Sequence, residues 1–371
     1  MVEYLPEEYN QLLSAVLMMQ KLFHGFVVFL GSKGYITCCM VWFPDHVNLT
    51  VGLVVSTNYI GGALGVLMGG YLYQLLSFNQ PYFVASLICA VCWLYNLIVL
   101  PPTSDPLYCK AKAGESRDNV HRENGNSHTA DNMAKNLDES NEKGLSWLVI
   151  FPLIAHGLTT LSEGFCTAIT TPYLLDKFGI EIGQGSSYVF VLFISFIIGS
   201  AGAGYILQMG WISNYKMMIA GGVLTIIGLL FIFPGQGVKV MYDNVPKLAY
   251  LGYILMGVGN QLISIAALEA LEETHVTIAR RRYTKKNKSL AASLWLLGWW
   301  TCIYVGHLVA LMVMKFMTFT TGGWLVAGCS GVSACICIVF EVWAIRSRIV
   351  VVRPLDSPPP LHLAPPRTIS L

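Results

Sequence analysis

Charge is what this chain lacks most. Of its 371 residues only 12% are Asp, Glu, Lys or Arg, against the ~25% that coats a soluble domain. A water-facing globular surface of ordinary kind is therefore excluded. The formal net charge of +2 separates no class of partner by itself. The first apolar stretch is not expected to be a secretory leader: it starts late, and Glu3, Glu7 and Glu8 stand where a basic n-region would be. Of the 10 cysteines only Cys109 lies in a polar segment, so they read as small core residues and not as a disulfide framework. Cys89 and Cys92 make a C-x-x-C inside an apolar run with no second ligand pair, which excludes a zinc ribbon. No H-x-x-x-H or H-x-x-H-H pattern suggests a membrane di-iron enzyme. No catalytic constellation, cofactor or metal is expected, and the chain is not expected to be an enzyme.

What is present is apolar length. Hydrophobic residues make up 54% of the chain and the mean hydropathy is +0.57. Nine stretches, at 11–43, 48–76, 81–100, 146–174, 186–209, 214–234, 247–271, 290–315 and 322–346, each approach or exceed the ~20 residues that cross a bilayer as a helix. Lipid leaves unpaired backbone groups no partner, so helices are the expected form. The 35 glycines suit helices that pack by close backbone approach. Turn chemistry separates the stretches at Phe43-Pro44-Asp45, Asn79-Gln80-Pro81, Pro101-Pro102 and Phe233-Pro234-Gly235. The fold class is an all-α polytopic membrane protein of about nine helices, divided three and six. Residues 1–101 form a partial N-terminal bundle of three helices. Residues 102–145, polar and nearly free of aromatics, read as a disordered loop. Residues 146–346 form a six-helix bundle, and the proline-rich 347–371 a disordered tail. Bundles of this kind are usually built from equal halves, so three further helices are expected ahead of the first.

Orientation follows from lysine and arginine. With the N-terminus outside the cytoplasm, 17 of the 23 fall on the cytoplasmic side, three on the other and three within or at the end of spans. The N-terminus is therefore expected outside and the C-terminus inside. Both sequons, at Asn48 and Asn287, then face the cytoplasm and carry no glycan. The basic run at 280–288 is read as a topology signal beside anionic headgroups, not as a nucleic-acid site.

Residues 61–73 place Gly61, Gly65 and Gly69 at successive i+4 steps, followed by Gly70. Helix packing alone explains small-xxx-small spacing. The run also resembles the fifth-helix signature of proton antiporters of the major facilitator superfamily, G-x-x-x-G-P-x-x-G-G, with Val66 in place of proline. In that family this helix lies where the two halves rock against each other. The resemblance extends over almost all the chain outside the loop and tail. Phe43-Pro44 through Gln74 and Pro81-Tyr82-Phe83 look like the fourth-to-sixth helix region of vesicular polyamine transporters, close to the vesicular monoamine branch. Gly164-Phe165, Leu175-Asp176-Lys177-Phe178 and the run at 228–235 look like helices seven to nine of that branch; Ser293-Leu294-Trp295 and Gly322-Gly323-Trp324 fit the eleventh and twelfth. On this resemblance the chain covers helices four to twelve.

Several positions depart from the branch. Its fourth-helix Arg and Asp positions look like Lys21 and His24 here, its fifth-helix Glu falls on Val55, and its seventh-helix acid on Thr167. Glu163 stands one turn before Thr167 on the same face. Glu269 is within one residue of the tenth-helix acid, and Gln208 stands where the turn between helices eight and nine would have Asp. A proton-coupled exporter of cations needs membrane-embedded carboxylates that pair with an amine and trade it for protons. Charged groups inside spans are costly and functional by default, so Lys21, Lys33, Glu163 and Glu269 are transport-path candidates, with Thr167. A hydrogen-bonded core carboxyl, or a lysine snorkelling to the headgroups, is the competing explanation. His24, His156 and His307 also fall in spans, where a histidine serves either as a proton relay or as a polar bond between helices. Trp295 fits the family and could line an amine pocket by cation–π contact, whereas Trp299 and Trp300 are expected in packing. The expected activity is alternating-access, proton-coupled transport of small organic solutes of polyamine or amine type, in a vesicle or the plasma membrane. The alternative is a non-transporting relative that acts as a membrane binding or assembly partner.

Overall fold

A computed structural model describes residues 31–32, 34–36, 39, 43, 46–75, 80–99, 147–234, 245–275 and 285–351. Among the described residues every regular element is helical. The α-helices are α1 (Val47–Leu75), α2 (Gln80–Val99), α3 (Ile150–Phe178), α4 (Ile182–Gln208), α5 (Asn214–Ile232), α6 (Val245–Glu273), α7 (Lys285–Phe316) and α8 (Phe319–Val351). Seven of the nine expected spans are helices long and apolar enough to cross a membrane. The third is α2, a helix of 20 residues. Of the first, residues 31, 32, 34–36 and 39 are helical; Lys21, His24 and Lys33 lie outside the described residues, as does the whole of 102–145.

The ends of the helices follow from local chemistry. α3 stops at Gly179, whose φ of 64° is strained for any residue with a Cβ. Its N–H reaches Leu175 O (3.0 Å) and Ile180 N reaches Leu174 O (3.3 Å), which satisfies the last carbonyls of the helix. Gly210, at φ 66°, makes the corresponding turn after α4. Ser213 caps α5 by accepting from the Lys216 backbone N–H. α8 continues to Val351, past the expected end at 346. α7 starts at Lys285, ahead of its apolar run, because a lysine-rich turn is a good helix former.

α6 lies along α5 and α4, α3 along α7, and α8 bridges α5 and α3. α3 and α6 are interior: 67% and 72% of their span windows are buried, against 28% for α7. α7 turns Leu297, Leu308, Leu311 and Met312 outward, the exposure expected of a lipid face. α1 packs on α4 over its whole length, antiparallel, and on α2 only slightly. A Cβ built on Gly52 would stand 2.6 Å from Ser200 O, and one on Gly204 2.6 Å from Asn48 O. Ser56 Oγ lies 2.7 Å from Ser200 Oγ and donates to Gly52 O. Farther along, Gly62 meets the Phe193 ring and Gly70 the Ser186 hydroxyl. A Cβ on Gly61, Gly65 or Gly69 would meet nothing within 4 Å among the described residues. Among the described residues the close approach thus falls on Gly52, Gly62 and Gly70, and the i+4 stripe lies on another face of the same helix.

A polar cluster closes one end. Glu341 of α8 accepts from Ser213 Oγ (3.1 Å) and lies 3.8 Å from Lys216 Nζ. Asn214 donates to Glu273 (3.1 Å), and the Tyr215 and Thr274 hydroxyls are 2.5 Å apart.

Candidate functional site

Between α1, α3, α4 and α7 lies a cavity of about 450 Å³, within the range that holds a small organic ligand. α1 contributes Val54, Val55, Asn58, Tyr59 and Gly62; α3 contributes Glu163 and Thr167; α4 contributes Phe193. The far wall is α7, with Leu296, Trp299, Trp300, Ile303 and His307, and Ser32 and Ile36 complete the lining.

Among the described lining residues Glu163 is the only carboxyl. The side chain is buried, at 5% exposure, where an unpaired charge is costly. Tyr59 Oη donates to Oε1 (3.0 Å) and Oε2 (3.2 Å), and Asn260 Nδ2 donates to Oε2 (3.1 Å). Gln261 Nε2 in turn donates to Tyr59 Oη (2.7 Å). The Trp299 indole N–H is set toward the carboxyl as a further side-chain donor, short of the geometry of a full hydrogen bond. Among the described residues no lysine or arginine pairs with Glu163. Among the described residues its anionic form is balanced by neutral donors.

Aromatic rings complete the setting. Tyr59 packs against Phe196 (4.6 Å between centroids), Phe193 (5.9 Å) and Trp299 (6.0 Å), and Trp299 stacks on Trp300 at 6.3 Å. Negative ring faces beside a carboxylate form a setting that attracts an organic cation. Thr167 Oγ1 donates to the Glu163 and Gly164 carbonyls (2.9 and 3.1 Å), leaving its oxygen as an acceptor toward the cavity. His307 Nδ1 donates to Ile303 O (2.7 Å), which leaves Nε2 as the acceptor of the neutral ring.

The structure thus brings Glu163, Thr167 and His307 together in one cavity and sets Glu269 and Trp295 apart from it, while Lys21 and His24 lie outside the described residues. Glu269 lies at the end of α6 near Glu272 and Glu273, where the Asn48 side chain reaches it. Trp295 is fully buried, donates to Ser264 O (2.9 Å) and stacks on His156; the cavity wall is made by Trp299 and Trp300 instead. Val55, at the position of the family's fifth-helix acid, lines the cavity as an apolar group. Tyr59, Asn260 and Gln261 carry no sequence signal that marks them. Only the helix order that sets them opposite Glu163 gives them a role.

That arrangement predicts the effect of Tyr59→Phe. It removes both donor contacts to Glu163 and the acceptor for Gln261 while the ring packing stays. Losing hydrogen bonds to a buried carboxyl costs about 1–3 kcal/mol, so the midpoint of thermal unfolding in detergent should fall by several degrees. An unchanged midpoint would remove Tyr59 from the site.

Residues 22–274 match the family model described as Major Facilitator Superfamily. No curated protein matches the chain.

Proposed function

Since the chain belongs to the major facilitator superfamily, and so is a multi-pass membrane transporter of that family, we propose that it carries small organic cations of the amine or polyamine class in exchange for protons at Glu163. The observation that carries this reading is a lone carboxyl, hydrogen-bonded but without a cationic partner among the described residues, in a cavity walled by Tyr59, Phe193, Trp299 and Trp300. In its anionic form Glu163 holds the ammonium group of the solute while the ring faces supply cation–π attraction. Protonation removes the countercharge and lets the cation leave, so one site binds either cargo or proton. The resemblance to vesicular polyamine transporters supports the choice of cargo. The excess of lysine and arginine in 102–145, 272–289 and the tail supports a cytoplasmic C-terminus and a non-cytoplasmic N-terminus. A vesicle or plasma membrane is then the setting, and alternating access about the cavity the mode of action.

The test is uptake of labelled spermidine by proteoliposomes under an imposed pH gradient. Accumulation that collapses when the gradient is dissipated is the expected result. Uptake no greater than in empty vesicles would sink the reading and favour a binding or assembly role.

A further inference from the structure

The cavity holds more polar chemistry than a cation at Glu163 uses. α3 and α7 run in the same direction through their crossing. Gly157 faces Cys302, Gly164 the Ile303 carbonyl, and Gly306 the backbone of Leu161 and Phe165, so positions that rise along one helix rise along the other. Past the crossing, each helix adds one polar side chain to the lining: Thr167 one turn beyond Glu163, and His307 one turn beyond Ile303. The two therefore lie toward the same end of the cavity, past the carboxyl.

Their own helices fix what they can bond. The Thr167 hydroxyl gives its proton to the Glu163 and Gly164 carbonyls (2.9 and 3.1 Å), which leaves its oxygen as an acceptor. His307 Nδ1 lies 2.7 Å from Ile303 O. A carbonyl only accepts, so Nδ1 carries the hydrogen and Nε2 of the neutral ring carries a lone pair. Nε2 stands at the tip of the ring, directed away from the backbone to which Nδ1 is tied. His307 is half-buried, and Nε2 is not one of the sealed polar atoms of the interior. Among the described residues it has no partner. The neighbours on α7 do not supply one: Tyr304 approaches only ring to ring, at 6.4 Å between centroids, and Leu308 and Leu311 turn outward. A ring already held in one tautomer can meet an incoming donor without rearrangement, which is the condition for a contact that adds affinity.

The cavity thus has two unlike poles. At one, Tyr59 and Asn260 hold a carboxyl suited to an ammonium group. At the other are two neutral acceptors, Thr167 Oγ1 and His307 Nε2, with no carboxyl among the described lining residues. An amine with a plain hydrocarbon tail would set methylene groups against these acceptors and take their water away without replacing it. An amine whose far end carries an N–H or O–H replaces that bond. A volume of about 450 Å³ accommodates both ends of such a molecule.

We propose that His307 selects the cargo by its far end: Nε2 accepts a hydrogen bond from an N–H or O–H donor of an amine whose ammonium group is held at Glu163, with Thr167 Oγ1 as the second acceptor. This rests on Glu163 as the cation site. His307 touches the cargo, and no bond to hydrogen is made or broken there.

The test is calorimetric binding of three amines of equal length to the full chain in detergent: pentylamine, aminopentanol with its terminal hydroxyl, and cadaverine with its second terminal amine. In the unaltered protein aminopentanol and cadaverine should each bind about 10-fold more tightly than pentylamine, the weight of one hydrogen bond. His307→Leu should bring that ratio to about one, whereas His307→Gln, whose amide oxygen still accepts, should keep a ratio of ~3 or more. Aminopentanol ahead of cadaverine identifies the donor as a hydroxyl and the reverse order as an amine; either supports the assignment. Three amines bound alike by the unaltered protein overturn it, and that comparison needs no variant to fold. A ratio that survives in His307→Leu, or is lost equally in His307→Gln, overturns it as well. Glu163→Gln keeps the two readings apart, because it should abolish binding of all three. Pentylamine bound equally well by Glu163→Gln removes the cation site itself, whereas binding that needs Glu163 but ranks the three amines alike removes only the role of His307.

Discussion

Glu163→Gln should abolish both modes of spermidine movement, lowering gradient-driven uptake and exchange by about 10²-fold or more, the weight of a positioned acid–base group. The amide has the size of the acid and can still accept from Tyr59. The Asn260 amide can turn to meet the new NH₂ group, since its oxygen has no partner to lose. Folding should therefore survive, with a monodisperse elution profile as the check. What cannot survive is the countercharge: among the described residues no other carboxyl lines the cavity, so an ammonium group would enter an aromatic box without an anion. Glu163→Asp keeps the charge but draws it back by one methylene from Tyr59 and Asn260, and should fall between the two. Uptake by Glu163→Gln within about twofold of the unaltered protein would remove the carboxyl from the transport path.

The second large effect is on assembly. A Cβ on Gly164 would run into the Ile303 carbonyl, and one on Gly306 into the Leu161 carbonyl while standing 2.8 Å from Phe165 N. These are backbone atoms, which no rotamer change can move aside. Gly164→Val or Gly306→Val therefore forces α3 and α7 apart, at a cost above the ~1–3 kcal/mol of ordinary overpacking, and should yield little monodisperse protein in detergent. The same crossing sets Glu163 opposite Trp299, so any protein recovered should also lose uptake. Gly202→Ala is the contrast. Its Cβ meets nothing within 4 Å, and the variant should gain ~0.5–1 kcal/mol of helix propensity. Normal recovery of both valine variants would contradict the close approach of these helices.

These expectations show where sequence reasoning reaches. Apolar length and turn residues located the helices within a few residues, because lipid leaves the backbone little choice. Glu163 could be found the same way, as a charge where charge is costly. Its partners could not. Tyr59 and Gln261 are 202 residues apart, and a tyrosine or an amide in an apolar helix is too common to mark a site. Trp295 was singled out over Trp299 and Trp300 because it fits a family motif. Four residues along α7 turn the side chain by about 40°, enough to bring Trp299 to the cavity wall while Trp295 stays behind it, stacked on His156. Of the glycine stripe, only Gly70 makes a close approach among the described residues. Spacing of four names a face, but only the neighbouring helix says whether that face is used. Glu269 is legible both as a charge and, from Glu272 and Glu273 beside it, as lying near the polar end of its helix.

The antiparallel seam of α1 and α4 has a mechanical consequence. Gly52, Gly204, Ser56 and Ser200 at one end and Gly70 with Ser186 at the other leave nearly flat surfaces in contact, with no ridges to lift out of grooves. Only at mid-length does bulk engage, where Tyr59 packs on Phe193 and Phe196. A joint that is smooth at both ends and keyed in the middle tilts about its key. The key is Tyr59, the residue that hydrogen-bonds Glu163, so the buried carboxyl is tied to the middle of this seam and not to its smooth ends.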